Sequence, residues 1–217
     1  MKIIGHRGAR GLAPENTIAS LKKAINCAAD EIEFDLRVTK DHVPILNHNQ
    51  TLVDASGNKL NVSDSTYLEL KAHKPNLATL QEALDATENI PLYIEVKGGE
   101  PVEPIANILK TIPANRFCLG SKNQKTLREL HKQMPNVKMV VIESISGIRA
   151  THRAKQVDTK TLSMYSRGLW FGFIKAMSAR GYELYVYTVN DPKKAQRWAK
   201  YGLAGTVTDY PDRFKDF

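Results

Sequence analysis

The chain contains few of the residues that define disulfide-rich or zinc-binding proteins. Only two of its 217 residues are cysteine, Cys27 and Cys118, and each lies in a run with apolar neighbours. We expect both to be small buried side chains and not a disulfide, and no cluster of Cys and His suggests a zinc site. A composition with 42% hydrophobic and 25% charged residues excludes a disordered chain.

Long apolar runs are also missing. No stretch approaches the roughly 20 residues that cross a bilayer, so stable membrane insertion is not expected. The first residues, Met1 to His6, become polar after two apolar positions and lack the apolar core and cleavage site of a signal peptide. If this is the native start, we expect a cytoplasmic protein.

The net charge is +8, which raises the question of an anionic partner. The basic residues are scattered, however, and pairs such as Lys22–Lys23 and Lys193–Lys194 lie in helical patterns, where they are expected to face solvent. No stretch interleaves basic and aromatic residues as a nucleic-acid platform would. The sequence therefore predicts no nucleic-acid partner, and it indicates no particular oligomeric state.

Short apolar runs alternate with helical patterns along the chain. This order predicts a mostly parallel sheet covered by helices. No Gly-x-Gly-x-x-Gly motif opens the first helix, so the dinucleotide signature of a doubly wound sheet is absent. With about eight strands, we predict an α/β fold of the compact TIM (β/α)8 barrel type, with residues 1–217 as a single catalytic domain. The predicted strands are Lys2–His6, Ile32–Val38, Val43–Asn47, Leu92–Val96, Arg116–Gly120, Val137–Ile142, Glu183–Val189 and Thr206–Thr208.

Helical periodicity separates these strands. Residues Thr17–Ala29 carry an apolar stripe of helical spacing, and Pro14 before them suits a helix start. Gly181 and Gly202 are expected to end two later helices. No helical pattern is visible after the fifth barrel strand, and residues 54–61 read as a polar loop. The other predicted helices are Leu80–Ala86, Val102–Leu109, Gln124–Gln133, Leu169–Arg180 and Pro192–Tyr201.

Acidic residues stand at matched positions of two predicted strands. Glu33 and Asp35 are two residues apart, so both project from one face of a strand, and Glu95 and Lys97 repeat the arrangement in the next barrel strand. Three converging carboxylates would repel one another, and a bound divalent cation would remove that repulsion. Oxygen ligands without cysteine suit Mg²⁺ or Ca²⁺.

The alternative is that these carboxylates only form structural ion pairs, with Arg7, Arg37 or Lys97 as partners. For one carboxylate alone this would be the preferred interpretation. Three carboxylates at matched strand positions favour the metal site.

Two histidines border the same cluster. His6 ends the first predicted strand, and His48 ends the extension of the second. Two imidazoles beside a metal suit general acid–base catalysis near neutral pH. The remaining histidines are expected to be structural or surface residues; they are His42, His73, His131 and His152.

Several short motifs occur in an order that identifies a family. They are His6-Arg7-Gly8, Ala13 to Thr17, Glu33-Phe34-Asp35, Pro44 to His48, Ile94 to Lys97, Tyr187 to Asn190, and Gly205 to Asp209. Over nearly the whole chain this pattern resembles the glycerophosphodiester phosphodiesterases. The first half carries the specific motifs, whereas the middle of the chain is only compatible with them.

The resemblance implies a TIM barrel that cleaves a small-molecule glycerophosphodiester into glycerol 3-phosphate and an alcohol. It also implies one divalent cation, Mg²⁺ or Ca²⁺, with Mn²⁺ as a further candidate. The residue roles that it implies are metal ligation by Glu33, Asp35 and Glu95, acid–base catalysis by His6 and His48, and phosphate binding by Arg7 and Lys97.

Three features depart from the family pattern. Asn49 follows His48 where the family usually has Asp, which removes a negative charge beside that histidine. Tyr187 stands where the family usually has Trp, so an aromatic wall is kept with a different shape. The loop between His48 and Thr79 looks short, and in the family that region often covers the glycerol end of the substrate.

Other functions stay open at this point. A related enzyme could act on lysophospholipids or sphingolipids in the manner of a phospholipase D, which requires an apolar mouth. Leu169, Trp170, Phe171 and Phe173 could form one, although their spacing equally suits a buried helix face. A non-enzymatic anion-binding barrel would use the positive charge, and Asn49 is the one feature that suggests an inactive barrel.

Overall fold

The computed structural model describes residues 1–54, 56–88 and 90–215, and within it eight parallel strands close into a barrel. The strands are β1 (Lys2–Gly5), β2 (Glu31–Val38), β3 (Pro44–Leu46), β4 (Thr51–Val53), β5 (Lys59–Asn61), β6 (Leu92–Val96), β7 (Phe117–Ser121), β8 (Lys138–Glu143), β9 (Thr161–Tyr165), β10 (Glu183–Tyr187) and β11 (Gly205–Thr208). The barrel order is β1-β2-β6-β7-β8-β9-β10-β11, with β11 paired to β1, so the predicted TIM barrel is confirmed.

Helices begin and end where local chemistry favours it. The capping boxes Thr66/Glu69 and Thr79/Glu82 start two of them, and Gly181 and Gly202 follow two others with positive φ, as predicted for helix stops. The helices are α1 (Ile18–Asn26), α2 (Tyr67–His73), α3 (Leu80–Ala86), α4 (Val102–Leu109), α5 (Gln124–Gln133), α6 (Gly147–Lys155), α7 (Phe171–Ala179) and α8 (Pro192–Ala199).

The apolar residues form two main layers. The larger one lies between the barrel and the helices and includes Ile32, Phe34 and Leu36 of β2, which alternate with the acidic residues of that strand. A smaller one fills the barrel interior, where Tyr93 and Cys118 are buried. Cys27 and Cys118 are both buried free thiols, as expected from the sequence.

One predicted strand lies outside the barrel, and one barrel strand was not predicted from the sequence. Residues Val43–Asn47 were expected as a strand among the eight, but β3 pairs antiparallel to β2 outside the barrel. The eighth barrel strand is β9, whose sequence Thr-Leu-Ser-Met-Tyr lacks a continuous apolar run. The reason is that Ser163 faces the barrel interior, where it is 1% exposed, so no apolar residue marks that position.

A helix also follows the fifth barrel strand, where the sequence shows none. The inner side of α6 carries the buried Arg153, whose guanidinium donates to the carbonyls of Ile142 and Ser121 at 2.9 and 3.1 Å. Since a satisfied arginine replaces an apolar residue, the stripe typical of a packed helix is interrupted. Residues 54–61, expected as a loop, instead end in β5, which pairs with β4; position 55 lies outside the described residues.

The connection after β2 contains β3, the β4–β5 pair and α2, and it has its own small apolar core that includes Ile45, Leu52 and Leu70. The connection therefore folds as a packed unit at the end of the barrel where the C-terminal ends of the strands lie. Among the described residues, no helix is both long and apolar enough to cross a membrane.

Candidate active site

The pairing of β2 with β6 brings the three acidic residues together. Asp35 lies directly beside Glu95 in the parallel register, and Glu33 lies one inward-facing position earlier on β2. One carboxylate oxygen from each of the three lies within 4.8 Å of the others. All three residues are buried, so water cannot fully relieve the repulsion between them.

The charges of this cluster are strongly perturbed. Burial and the negative charges of Asp35 and Glu95 raise the pKa of the Glu33 carboxyl well above its ordinary value. Burial also acts to raise the pKa of Asp35, but the adjacent cations Lys97 and Arg7 outweigh it and hold that pKa below its ordinary value. Two neighbouring carboxyls are therefore pushed in opposite directions, a pattern that is frequent in functional sites.

Lys97 lies between two of the carboxylates. Its Nζ is 2.5 Å from Asp35 Oδ1 and 2.8 Å from Glu95 Oε1. Burial acts to lower the pKa of Lys97, but these two carboxylates raise it more, so the ammonium stays charged. In this arrangement the lysine contacts carboxylates and does not itself line the open cavity.

The donor set fits a hard divalent cation. Oxygen atoms up to 4.8 Å apart can share a cation at Ca²⁺– or Mg²⁺–oxygen distances of about 2.0–2.6 Å. Burial and the negative charges of Asp35 and Glu95 disfavour the ionised form of Glu33, and a bound cation would favour it. Glu33, Asp35 and Glu95 are thus the described acidic residues that could hold a metal ion here.

His6 is oriented by a carboxylate at the end of the last strand. Its Nδ1 lies 2.6 Å from Asp209 Oδ1. An ionised carboxylate only accepts hydrogen bonds, so Nδ1 carries the hydrogen and Nε2 is left for proton exchange. Burial acts to raise the pKa of Asp209, but hydrogen bonds from His6 and Asn190 outweigh it and lower that pKa.

At His48, the partner of Nδ1 is a side-chain amide and not a carboxylate. Its Nδ1 lies 2.8 Å from Asn49 Oδ1, so the contact is kept without the negative charge that an Asp would add. Burial lowers the pKa of His48, and the nearby Asp35 only partly offsets this. The backbone of His48 is fixed as well, because Arg37 Nε donates to its carbonyl at 3.1 Å and Arg37 is held by Glu100 at 2.7 Å.

The turn after β1 directs a backbone amide and the guanidinium of Arg7 toward the acidic cluster. Arg7 has φ 51°, and its amide donates to Glu33 Oε2 at 2.8 Å. Its guanidinium lies 3.1 Å from Asp35 and 2.7 Å from Glu15. Asn16, also with positive φ, exchanges two hydrogen bonds with Asp35. These bonds link the turn to the acidic cluster.

Five of the seven predicted site residues line one cavity of about 210 Å³ at the C-terminal ends of the barrel strands. Asp35 and Lys97 lie beside the cavity and contact each other. The lining residues are His6, Arg7, Arg10, Glu33, His48, Tyr93, Glu95, Lys122, Ile142, Ser163, Tyr187, Thr188 and Val207.

Four polar residues of the site were not singled out as site residues from the sequence. Arg10 and Lys122 add positive charge to the cavity wall. Asp209 orients His6, and Asn190 Nδ2 holds Asp209 Oδ2 at 2.9 Å. A usable signal exists for Asp209, since it directly follows a barrel strand, where catalytic groups collect.

The chain matches known proteins over almost its full length. The relatives include a glycerophosphodiester phosphodiesterase from Caldanaerobacter subterraneus subsp. tengcongensis, 26% identical over 97% of this chain and 94% of that protein. A lysophospholipase D from Homo sapiens is 24% identical over 100% of this chain and 85% of that protein.

Solved structures share the fold. A phosphodiesterase from Oleispira antarctica, in complex with the product sn-glycerol-3-phosphate, has a TM-score of 0.90 and 23% identity, over 100% of this chain and 96% of that chain. The glycerophosphodiester phosphodiesterase from Thermotoga maritima has a TM-score of 0.84 and 22% identity, over 100% and 97%. The model of the glycerophosphoryl diester phosphodiesterase family matches residues 6–213. The chain therefore belongs to the glycerophosphoryl diester phosphodiesterase family, a family of phosphoric diester hydrolases.

Proposed function

We propose that the protein hydrolyses glycerophosphodiesters to glycerol 3-phosphate and an alcohol, with one divalent cation and two histidines acting in proton transfer. The observation that carries this proposal is that the acidic cluster lies at the cavity that both histidines line. The family gives the reaction class. The product bound to the Oleispira antarctica relative supports glycerol 3-phosphate as the product here.

Phosphate binding falls to the cationic groups of the site. When bound by Glu33, Asp35 and Glu95, a cation such as Mg²⁺ or Ca²⁺ would stabilise the charge on the non-bridging phosphate oxygens. Arg7 lines the cavity and contributes a fixed guanidinium to the same charge. Lys97 lies next to the cavity, where it contacts Asp35 and Glu95. Once these two carboxylates bind the metal ion, the Lys97 ammonium is available as a second cation for the phosphate.

Proton transfer uses the Nε2 atoms of the two histidines. The Nδ1 atoms of His6 and His48 are both engaged, by Asp209 and Asn49. One histidine takes the proton of the attacking oxygen, and the other gives a proton to the leaving alcohol. The attacking oxygen is either the adjacent glycerol hydroxyl, which forms a cyclic phosphate that water opens, or water itself; both routes need the same two histidines.

The test of this function is a release assay on glycerophosphodiesters with different head groups. We expect glycerol 3-phosphate to appear with Mg²⁺, Mn²⁺ or Ca²⁺ and to disappear after chelation. Release of no glycerol 3-phosphate from any head group with any of the three ions would refute the proposal. Salt-dependent nucleic-acid binding without hydrolysis would favour the anion-binding alternative.

Replacing Lys97 with methionine separates its two candidate roles. Methionine keeps most of the length and removes the charge. We expect Lys97→Met to lower kcat/KM by about 10²-fold, the loss typical of one electrostatic donor, while metal affinity changes less. Lys125→Met, on the exposed side of α5, is the control. Altered metal affinity with unchanged kcat/KM would mean that Lys97 only neutralises Asp35 and Glu95.

Replacing Asn49 with aspartate restores a negative charge beside His48 Nδ1. That charge stabilises the imidazolium, so the pKa of His48, which burial lowers, is expected to rise. The limb of the kcat/KM pH profile that reports His48 should therefore move to higher pH, whether this residue is the acid or the base. Asn49→Ser is the neutral control. A profile unchanged in Asn49→Asp would exclude titration of His48 from that pH range.

Lysophospholipids are a second candidate substrate class. The relative from Homo sapiens is a lysophospholipase D, and the segment that follows β9 carries exposed apolar side chains, among them Trp170 and Phe171. A lysophospholipid shares the glycerophosphodiester group and differs by its single acyl chain. Comparing hydrolysis of a lysophospholipid with that of its deacylated counterpart distinguishes the two candidates.

A further inference from the structure

Four large apolar side chains project from two neighbouring connections of the barrel. Ile145 and Ile148, after β8, are 82% and 85% exposed, and Trp170 and Phe171, after β9, are 61% and 57% exposed. We call these four residues the apolar rim. Single exposed apolar residues are common, but a group of this size on one end of a soluble domain marks an interaction surface.

The two halves of the apolar rim adjoin each other. The ring of Phe173 lies on Gly147, so closely that a Cβ on this glycine would come within 2.3 Å of Phe173 Cε2. Gly147 lies between Ile145 and Ile148 in the chain. The ring of Trp170 meets Phe171 edge-on, with centroids 5.8 Å apart. Phe171 also lies beside Tyr201, with ring centroids 5.3 Å apart. The connections after β8 and β9 thus contact each other through Gly147 and Phe173.

The apolar rim lies at the mouth of the candidate active site. The Ser144 hydroxyl, next to Ile145, lies 2.9 Å from the hydroxyl of Tyr187, which lines the cavity. The rings of Tyr187 and Tyr165 are 5.8 Å apart, and Tyr165 ends the strand that leads to Trp170. A surface that covers the apolar rim would therefore face the cavity entrance.

The charge around the apolar rim has one sign. Residues 144–149 and 166–175 include Arg149, Arg167 and Lys175 and no acidic side chain. Arg149 is paired with the buried Glu143, and Arg167 lies over the Tyr165 ring at 6.0 Å. Apolar side chains within a basic border match an anionic lipid surface.

We propose that the apolar rim docks the mouth of the barrel onto an anionic phospholipid surface. More than half of each of the four residues is exposed, which suits shallow insertion between head groups better than enclosure of one acyl chain. Docking would place the cavity entrance against the lipid, where lysophospholipids reside. This substrate class rests on the proposed function, whereas docking itself does not.

Vesicle binding tests the proposal with the intact protein. We expect cosedimentation with vesicles of phosphatidylcholine and phosphatidylserine, weaker binding to phosphatidylcholine alone, and loss of binding at high salt. Trp170 is exposed and the other tryptophan, Trp198, is buried, so a blue shift of fluorescence on binding would report Trp170 entering the lipid.

The variant Ile145→Ser/Ile148→Ser removes two apolar side chains of the rim and changes no residue that lines the cavity. We expect it to bind anionic vesicles at least about tenfold more weakly, since two fewer isoleucines would enter lipid. Ile25→Ser is the control, because Ile25 is exposed near the end of α1, at the other end of the barrel. Hydrolysis of a water-soluble glycerophosphodiester should be unchanged in both variants.

Three results would overturn the docking proposal. They are no binding of the wild-type protein to anionic vesicles, equal binding of the double serine variant, and a dimer in solution that the double serine variant converts to a monomer. The last would assign the apolar rim to a second copy of the chain. Vesicle binding without any hydrolysis would refute the proposed function and leave the docking surface standing.

Discussion

Alanine in place of His6 or His48 is expected to lower kcat/KM by about 10²–10⁴-fold in each case, because each change removes one partner in proton transfer. The two imidazoles line one cavity, and their Nδ1 atoms are occupied by Asp209 and Asn49. The loss should fall mainly on kcat. Steady-state kinetics on a glycerophosphodiester measures it, with thermal unfolding to verify that the fold is intact.

His152→Ala is the matched control for these variants. His152 lies on the exposed side of α6, contacts Gln156 and does not line the cavity. It should keep wild-type kinetics. Activity near wild type in His6→Ala or His48→Ala would eliminate that residue as an essential acid or base.

Removal of the divalent cation is expected to lower kcat/KM by at least about 10³-fold, because the charge on the phosphate oxygens then lacks its strongest stabilising partner. Glu95→Gln should produce a similar loss at limiting metal and recover part of it at high metal concentration. The physical reason is that Glu95 offers one of the three carboxylates within 4.8 Å of one another that could hold the ion. Activity titrated against Mg²⁺, Mn²⁺ and Ca²⁺ measures both effects.

Glu103→Gln controls for the loss of one negative charge. Glu103 lies in the exposed first turn of α4, away from the cluster. Its apparent metal affinity should equal that of the wild type. Full activity of the wild-type protein in a strong chelator would show that the acidic cluster is structural and that Lys97 and Arg7 are its permanent partners.

The local pattern of the acidic strand could be read without the structure. Glu33 and Asp35 alternate with Phe34 and Leu36, and a strand must place alternate residues on opposite faces. The structure shows that alternation, with the apolar residues in the outer core and the carboxylates inside. Similar reasoning predicted most strands and helices to within a few residues, because each carries its own periodicity.

Elements with polar side chains at buried positions could not be predicted from apolar periodicity. Ser163 of β9 faces the barrel interior, and Arg153 of α6 is satisfied by carbonyls of two strands. Such positions are stable only because partners from other elements complete their hydrogen bonds. No pattern within the segment itself records those partners.

The contacts of the candidate site likewise depend on partners from distant parts of the chain. Asp209 reaches His6 from 203 residues further along the chain, since closure of the barrel places β11 beside β1. The position of Lys97 between Asp35 and Glu95 depends on the register of β2 with β6. Neither pairing follows from spacing along the chain.

The sequence by itself determined the class of fold, the family and the residues with the chemistry for metal binding and proton transfer, because side-chain type and strand periodicity are local properties. Only the tertiary structure decided which oxygens converge, which partner orients each histidine and which apolar side chains stay exposed at the cavity mouth. These depend on strand register and barrel closure, which bring distant segments within hydrogen-bonding distance.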